Sequence, residues 1–250
     1  MASGWDGELL LGGIVLLGAS VQWLTGMGFA LVAVPALVLL LGPSDGVALA
    51  NCAAGVICLV GLTRGWERVR FKAMVPLILA AACTVPLGTW FANRLPEPVL
   101  LVTMGALVTI AVLLIMRGFR APALSGLKGA LGAGAAGGFM NSSAGLGGPP
   151  VSLYAVNAGW TIYEFVPNAL FYGVIVNAFS VATNGLPRLT TDTWAVAVAG
   201  LTVGAFIGRA LAGRVPEQRA RLLVLLLALA GGASTLLKGA WGLGITWGWE

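Results

Sequence analysis

Histidine is absent from the 250-residue chain. That removes Ser–His dyads and His-ligated metal sites from consideration. Charge is scarce as well: 9% of residues are charged, against about 25% in a soluble domain. No carboxylate lies in the middle of an apolar run, so no proton- or sodium-coupling side chain is evident. Asp6, Asp45 and Asp192 sit at segment ends, as do Lys128 and Lys238, which disfavours aspartyl and Ser–Lys chemistry. No GxxxxGK[ST] loop is present to hold ATP phosphates. An enzyme is therefore not expected, and neither is a cofactor, a metal or a catalytic residue. Cysteine is limited to Cys52, Cys58 and Cys83, all in apolar runs and without a CxxC pair, and each is expected to be a small buried hydrophobe. The N-terminus lacks a basic region and carries Asp6 and Glu8. A cleaved signal peptide is not expected, and the first helix is read as permanent with its N-terminus outside. The net charge of +5 comes with no basic stripe or aromatic recognition motif, so nucleic acid is not an expected partner.

What the chain has in abundance is apolar length. Hydrophobic residues make up 58% of it, in runs of membrane-spanning size separated by short polar patches. The expected class is an all-α polytopic membrane protein of the cell (inner or plasma) membrane, multi-pass, with the lipid bilayer as its surroundings. The first run, Glu8 to Leu41, is broken at Thr25-Gly26-Met27-Gly28. The arm from Phe29 to Leu41 would be about 20 Å long, short of the roughly 30 Å hydrocarbon core. A hairpin that enters and returns therefore fits better than two crossings. Spans are expected at about 45–63, 73–93 and 99–116. A second broken run, Leu127 to Gly159, is followed by spans at about 163–183, 194–213 and 222–238. Gly145, Gly147 and Gly148 loosen its centre, while Pro149 and Pro150 remove two amide donors. One helix should end near Ala144, and a short one should start near Pro149.

The plan repeats. Phe91–Glu97 (FANRLPE) aligns with Leu211–Glu217 (LAGRVPE), Gly26 and Gly28 fall on Gly145 and Gly147 at a spacing of 119, and Asn51 falls on Asn168 at 117. The expected organisation is a first repeat at 1–116, a cytoplasmic linker at 117–128 and a second repeat at 129–250, each repeat a re-entrant hairpin plus three transmembrane helices. Three crossings per half invert the second half. The basic patches agree: Arg64–Lys72, Arg117–Lys128 and Arg209–Arg221 then share the cytoplasmic side, as the positive-inside rule requires.

Inversion brings the two tips into the membrane from opposite faces. The N-termini at Gly28-Phe29 and Gly148-Pro149 would then present exposed amides and positive dipole ends to one space, a setting that attracts anions without a buried cation. Gln22, Thr25, Gly26 and Gly28 in one tip, and Asn141, Ser142, Ser143, Gly145, Gly147 and Gly148 in the other, are the candidate substrate-binding residues, with Asn51 and Asn168 on the following helices. The competing reading of the Gly, Ser and Asn residues is helix packing and interhelical glue, and it is favoured for Asn157 and Asn177. Asp45 and Glu164 are read as helix-start carboxylates, and Arg209 as a candidate cytoplasmic vestibule charge.

LTGMGFALVAVP in the first half and SAGLGGPP in the second resemble the tip motifs of the sulfite exporter TauE/SafE family, and the length and duplicated layout are similar over nearly the whole chain. The resemblance implies a transporter that exports sulfite, sulfoacetate or a related sulfur-containing anion. It also implies that Gly26, Gly28, Pro35, Gly145, Gly147, Gly148 and Pro149 hold motif positions, with Phe29 standing where a further glycine is commoner. The expected function is secondary transport of a small sulfur oxyanion by alternating access at the two breaks. An anion channel, or an exporter of another small organic anion, is the alternative. The expected partners are the small anionic substrate and the bilayer, and a homo-oligomer is left open.

Overall fold

The computed structural model describes residues 5–26, 28–119, 125–211, 214 and 217–247, and the side chains of all these except 5, 25, 217–221 and 245–247. The described chain is helical throughout: α1 (Trp5–Thr25), α2 (Phe29–Leu41), α3 (Pro43–Leu62), α4 (Phe71–Arg94), α5 (Glu97–Met116), α6 (Gly126–Ala144), α7 (Gly148–Asn157), α8 (Ile162–Asn184), α9 (Thr191–Leu211) and α10 (Glu217–Trp247). Seven of these helices are long and apolar enough to cross a membrane, and large apolar side chains such as Leu79, Trp90 and Phe206 face outward. A polytopic membrane protein follows.

Helix ends track local chemistry. Pro43 opens α3 and Pro149 opens α7, each in a first turn where no amide donor is needed. Thr161 and Glu164 form a capping box that starts α8. Asp45, in the first turn of α3, accepts the Arg188 backbone N–H at 2.9 Å. Both carboxylates are thus helix-start groups. The last helix runs past the expected end at 238, because nothing in its sequence stops it before Trp247. Of the expected linker, residues 120–124 lie outside the described residues, and α6 begins at Gly126, inside that range.

Breaks come late in both units. α1 has 21 residues and α6 has 19, or about 31 and 28 Å, so the first arm is full length and only the second arm is short. The two arms turn back on each other, and Gly18 of α1 meets Phe29 and Ala33 of α2.

Small residues set the packing. Gly200, Gly204 and Gly208 of α9 lie against Gly12, Leu16 and Ser20 of α1, so these helices run parallel in close approach; a Cβ at Gly204 would fall 2.8 Å from that of Ala19. Gly134 and Gly138 of α6 face Leu77 and Ala81 of α4 in the same sense. α3 and α8 run antiparallel, as Gly55 facing Asn177 and Gly61 facing Leu170 require, and so do α5 and α10 through Val102–Gly239 and Val108–Gly232. Helices α1, α3, α5 and α9 therefore finish at one end of the bundle, where α4, α6, α8 and α10 begin. Arg64, Arg68, Arg70, Lys72, Arg117, Lys128 and Arg209 gather at that end with Glu67 and Glu164, while Asp6, Glu8, Asp45, Glu97 and Asp192 lie at the other with Arg94 and Arg188.

The cysteines divide. Cys58 is buried, Cys52 is half-buried, and Cys83 is exposed on α4, which corrects the expectation of three buried thiols. In a bundle whose exterior is apolar, a small thiol can face outward without exposing a charge.

Candidate functional site

Both breaks use the same local device. α1 ends at Thr25, and Gly26 follows at φ +74°. α6 ends at Ala144, and Gly145 follows at φ +68°. This left-handed conformation suits a residue without Cβ. The Gly145 N–H donates to the Asn141 carbonyl at 2.9 Å and the Leu146 N–H to the Met140 carbonyl at 3.1 Å, closing α6 in a Schellman-type end.

Each short helix is then capped by a carboxamide from its own first arm. Gln22 Oε1 accepts the Gly28 N–H at 2.8 Å and the Phe29 N–H at 3.0 Å, and Gln22 Nε2 donates to the Gly26 carbonyl at 3.1 Å. Asn141 Oδ1 accepts the Gly147 N–H at 3.1 Å. In both units the carboxamide reaches the amide six residues on, and Gln22 and Asn141 are themselves 119 apart, the spacing of the paired glycines. Extending the glycine alignment outward along the sequence would have revealed this pair. The expectation of exposed amides is corrected at Gly28 and Phe29, whose N–H groups already hold Gln22 Oε1, while at the second break it is the preceding Gly147 N–H that holds a side-chain oxygen.

Between the tips lies a cavity of about 90 Å³. Gln22, Gly26 and Gly28 line it from one unit, and Asn141, Gly145, Gly147 and Gly148 from the other. Cys58 of α3, Ile115 of α5 and Leu170, Tyr172, Gly173 and Asn177 of α8 are among the other lining residues. No charged side chain among the described residues lines it. On a scale where one water needs about 10–15 Å³, the space suits a few waters or one small oxyanion. A Cβ at Gly148 would meet nothing within 4 Å, whereas one at Gly147 would lie 2.8 Å from Asn141 Oδ1.

Asn141 is the centre of a buried network. Its Nδ2 is 3.3 Å from Asn51 Oδ1, 3.1 Å from Asn177 Oδ1 and 2.9 Å from Ser180 Oγ, and Asn51 Nδ2 donates to the Asn141 carbonyl at 3.4 Å. Two amide hydrogens face three acceptors, so the carboxamide has alternative partners if it turns. Asn51 thus supports the tip without lining the cavity, and Asn177, for which packing was the favoured reading, does line it.

The other expected residues lie apart. Ser142 Oγ donates to the Val85 carbonyl of α4 at 2.8 Å, and Ser143 Oγ to the Phe139 carbonyl at 2.7 Å. Both are buried and bonded to backbone. Asn168 accepts the Arg70 N–H at 2.8 Å and donates to the Glu164 carbonyl at 2.6 Å, tying the start of α4 to α8, where Arg70 and Glu164 also form an ion pair. The side chain of Thr25 lies outside the described residues. Tyr172, whose hydroxyl donates to the Gly134 carbonyl at 3.3 Å, joins the cavity wall without any sequence pattern to mark it.

The model of the sulfite exporter TauE/SafE family matches residues 10–235. No curated protein and no solved structure matches the chain.

Proposed function

The chain belongs to the sulfite exporter TauE/SafE family of membrane transporters, and on that premise we propose that it exports sulfite or an organosulfonate such as sulfoacetate by alternating access at its two helix breaks. One observation carries the reading: both breaks line a single cavity inside a membrane-spanning bundle, and no charged side chain among the described residues lines it. Transporter sites built from interrupted helices take this form, with helix N-termini aimed at the anionic group.

The capped amides suggest how the anion is held. Oxygens of the substrate replace Gln22 Oε1 at the Gly28 and Phe29 N–H groups, and Asn141 Oδ1 at the Gly147 N–H. The freed carboxamides turn and donate their own N–H groups to the anion. Neutral donors and the dipoles of α2 and α7 then stabilise the charge, and the carboxamide oxygens close the amides again when it leaves. No fixed cation needs to be neutralised, which favours release. An inside-negative potential also favours anion exit, by about 2.3 kcal/mol per charge per 100 mV.

We read residues 1–116 and 129–250 as inverted repeats joined by a cytoplasmic linker, with the N-terminus outside. The opposite starting ends of α1 and α6 support this, as do the antiparallel pairs α3–α8 and α5–α10. Each broken unit packs on the fourth helix of the other half, so the elements that rock are α1 with α9 and α6 with α4.

The test is efflux and uptake of radiolabelled sulfite and sulfoacetate in proteoliposomes, with and without an imposed potential and pH gradient. Saturable movement of either anion, lost in Gly147→Leu, is the expected result. Large non-saturating currents would replace the carrier by an anion channel. No movement of either anion would remove the sulfur assignment.

A further inference from the structure

A second cavity, of about 310 Å³, opens between α1, α3 and α9 and shares no lining residue with the first. Its walls include Val56, Val60 and Phe206, which are 49%, 50% and 69% exposed and so face the hydrocarbon in a membrane-spanning bundle. Arg64 and Arg209 line the same cavity at the basic end, where α3 and α9 finish. Among the described residues neither guanidinium is within ion-pair distance of a carboxylate; the ion pair there joins Arg70 to Glu164. Arg64 stands 5.9 Å from the centre of the Trp23 ring, and the buried Trp23 indole N–H has no acceptor among the described residues. Donors and positive charge thus collect above an apolar groove, and among the described residues no carboxylate is paired with either arginine.

An occupant that satisfies both parts carries several anionic oxygens at one end and an apolar chain at the other. A free small anion would answer the arginines and leave the lipid-facing wall unmatched. We propose that this groove binds an anionic phospholipid, with its phosphate on Arg64, Arg209 and the Trp23 N–H and an acyl chain along Val56, Val60 and Phe206. Arginine suits the head group because its planar donors match phosphate oxygens two at a time. Basic pockets between helices at the cytoplasmic side hold lipid head groups on the same principle. Trp23 adjoins Gln22, so the bound lipid also steadies the end of α1 that carries the first break. The site stands independently of the transport reading.

The experiment compares retention of phosphatidylglycerol and cardiolipin with that of phosphatidylcholine, by native mass spectrometry of the purified protein, together with the thermal midpoint in nanodiscs of each lipid. The unsubstituted protein is expected to retain the anionic lipids and to melt higher in them. Arg64→Gln/Arg209→Gln is expected to lose retention by roughly tenfold or more, the scale of two lipid-facing basic contacts, and to lose the midpoint difference. Arg64→Lys/Arg209→Lys is expected to restore part of both. Arg68→Gln, at the same basic end but outside the groove, is expected to change neither. Equal retention by the double glutamine variant would overturn the proposal. So would equal loss in Arg68→Gln, which would mean diffuse charge attraction. A midpoint rise produced in phosphatidylcholine by inorganic phosphate or sulfite, and abolished by the double substitution, would make the groove a small-anion vestibule instead.

Discussion

Gln22→Glu exchanges the carboxamide that closes α2 for a carboxylate of the same length. The two amides that Gln22 Oε1 holds, at 2.8 and 3.0 Å, keep an acceptor. What is lost is the Nε2 donor to the Gly26 carbonyl at 3.1 Å, a bond worth about 0.5–1.5 kcal/mol net. What is gained is a fixed negative charge where the substrate anion is proposed to sit. At about 4 Å and an effective dielectric near 20, the repulsion is about 4 kcal/mol, or roughly a thousandfold in affinity. The assay is substrate binding and counterflow in proteoliposomes, paired with thermal unfolding. Expected is near-complete loss of binding with only a small fall in the unfolding midpoint. Unchanged affinity would refute the assignment of the α2 amides to the anion.

Two further outcomes separate ligand contacts from scaffold. At Gly148 a Cβ has open space, so Gly148→Ala should fold and transport nearly normally. Gly148→Leu should instead fill the cavity and raise the transport KM at least about tenfold, the scale of losing one good contact set; equal transport in both variants would count against this cavity. Asn168→Ala removes the hydrogen bonds to Arg70 and Glu164 outside the cavity. It should cost about 1–3 kcal/mol of stability, read as a lower unfolding midpoint, with substrate Kd unchanged. A raised Kd at constant midpoint would place Asn168 in the site after all.

Element positions were legible because glycine and proline interrupt apolar helices for local reasons. The α1–α2 break at Thr25–Gly28, the α6–α7 break between Ala144 and Pro149, and the bounds of α2 follow from backbone conformation and missing amide donors, which no neighbour has to supply. Side-chain direction was less legible. Successive residues on a helix point about 100° apart, so Asn141, Ser142 and Ser143 cannot all face one space, yet in helices apolar on every side no polar face marks which one does. Asn51 and Asn168 occupy equivalent sequence positions and still make different contacts, because their surroundings differ: the Asn141 tip for one, the start of α4 for the other.

By itself the sequence determined the membrane-embedded helical class, the two breaks and the uncharged chemistry near the tips, since composition and local backbone preference suffice for each. Tertiary structure decided which helices pack together, that both breaks border one cavity, and that Gln22 and Asn141 occupy the amides. Those outcomes depend on which surfaces come within bonding distance, and glycine contacts between distant segments, such as Gly204 on Leu16 and Gly134 on Leu77, set that distance.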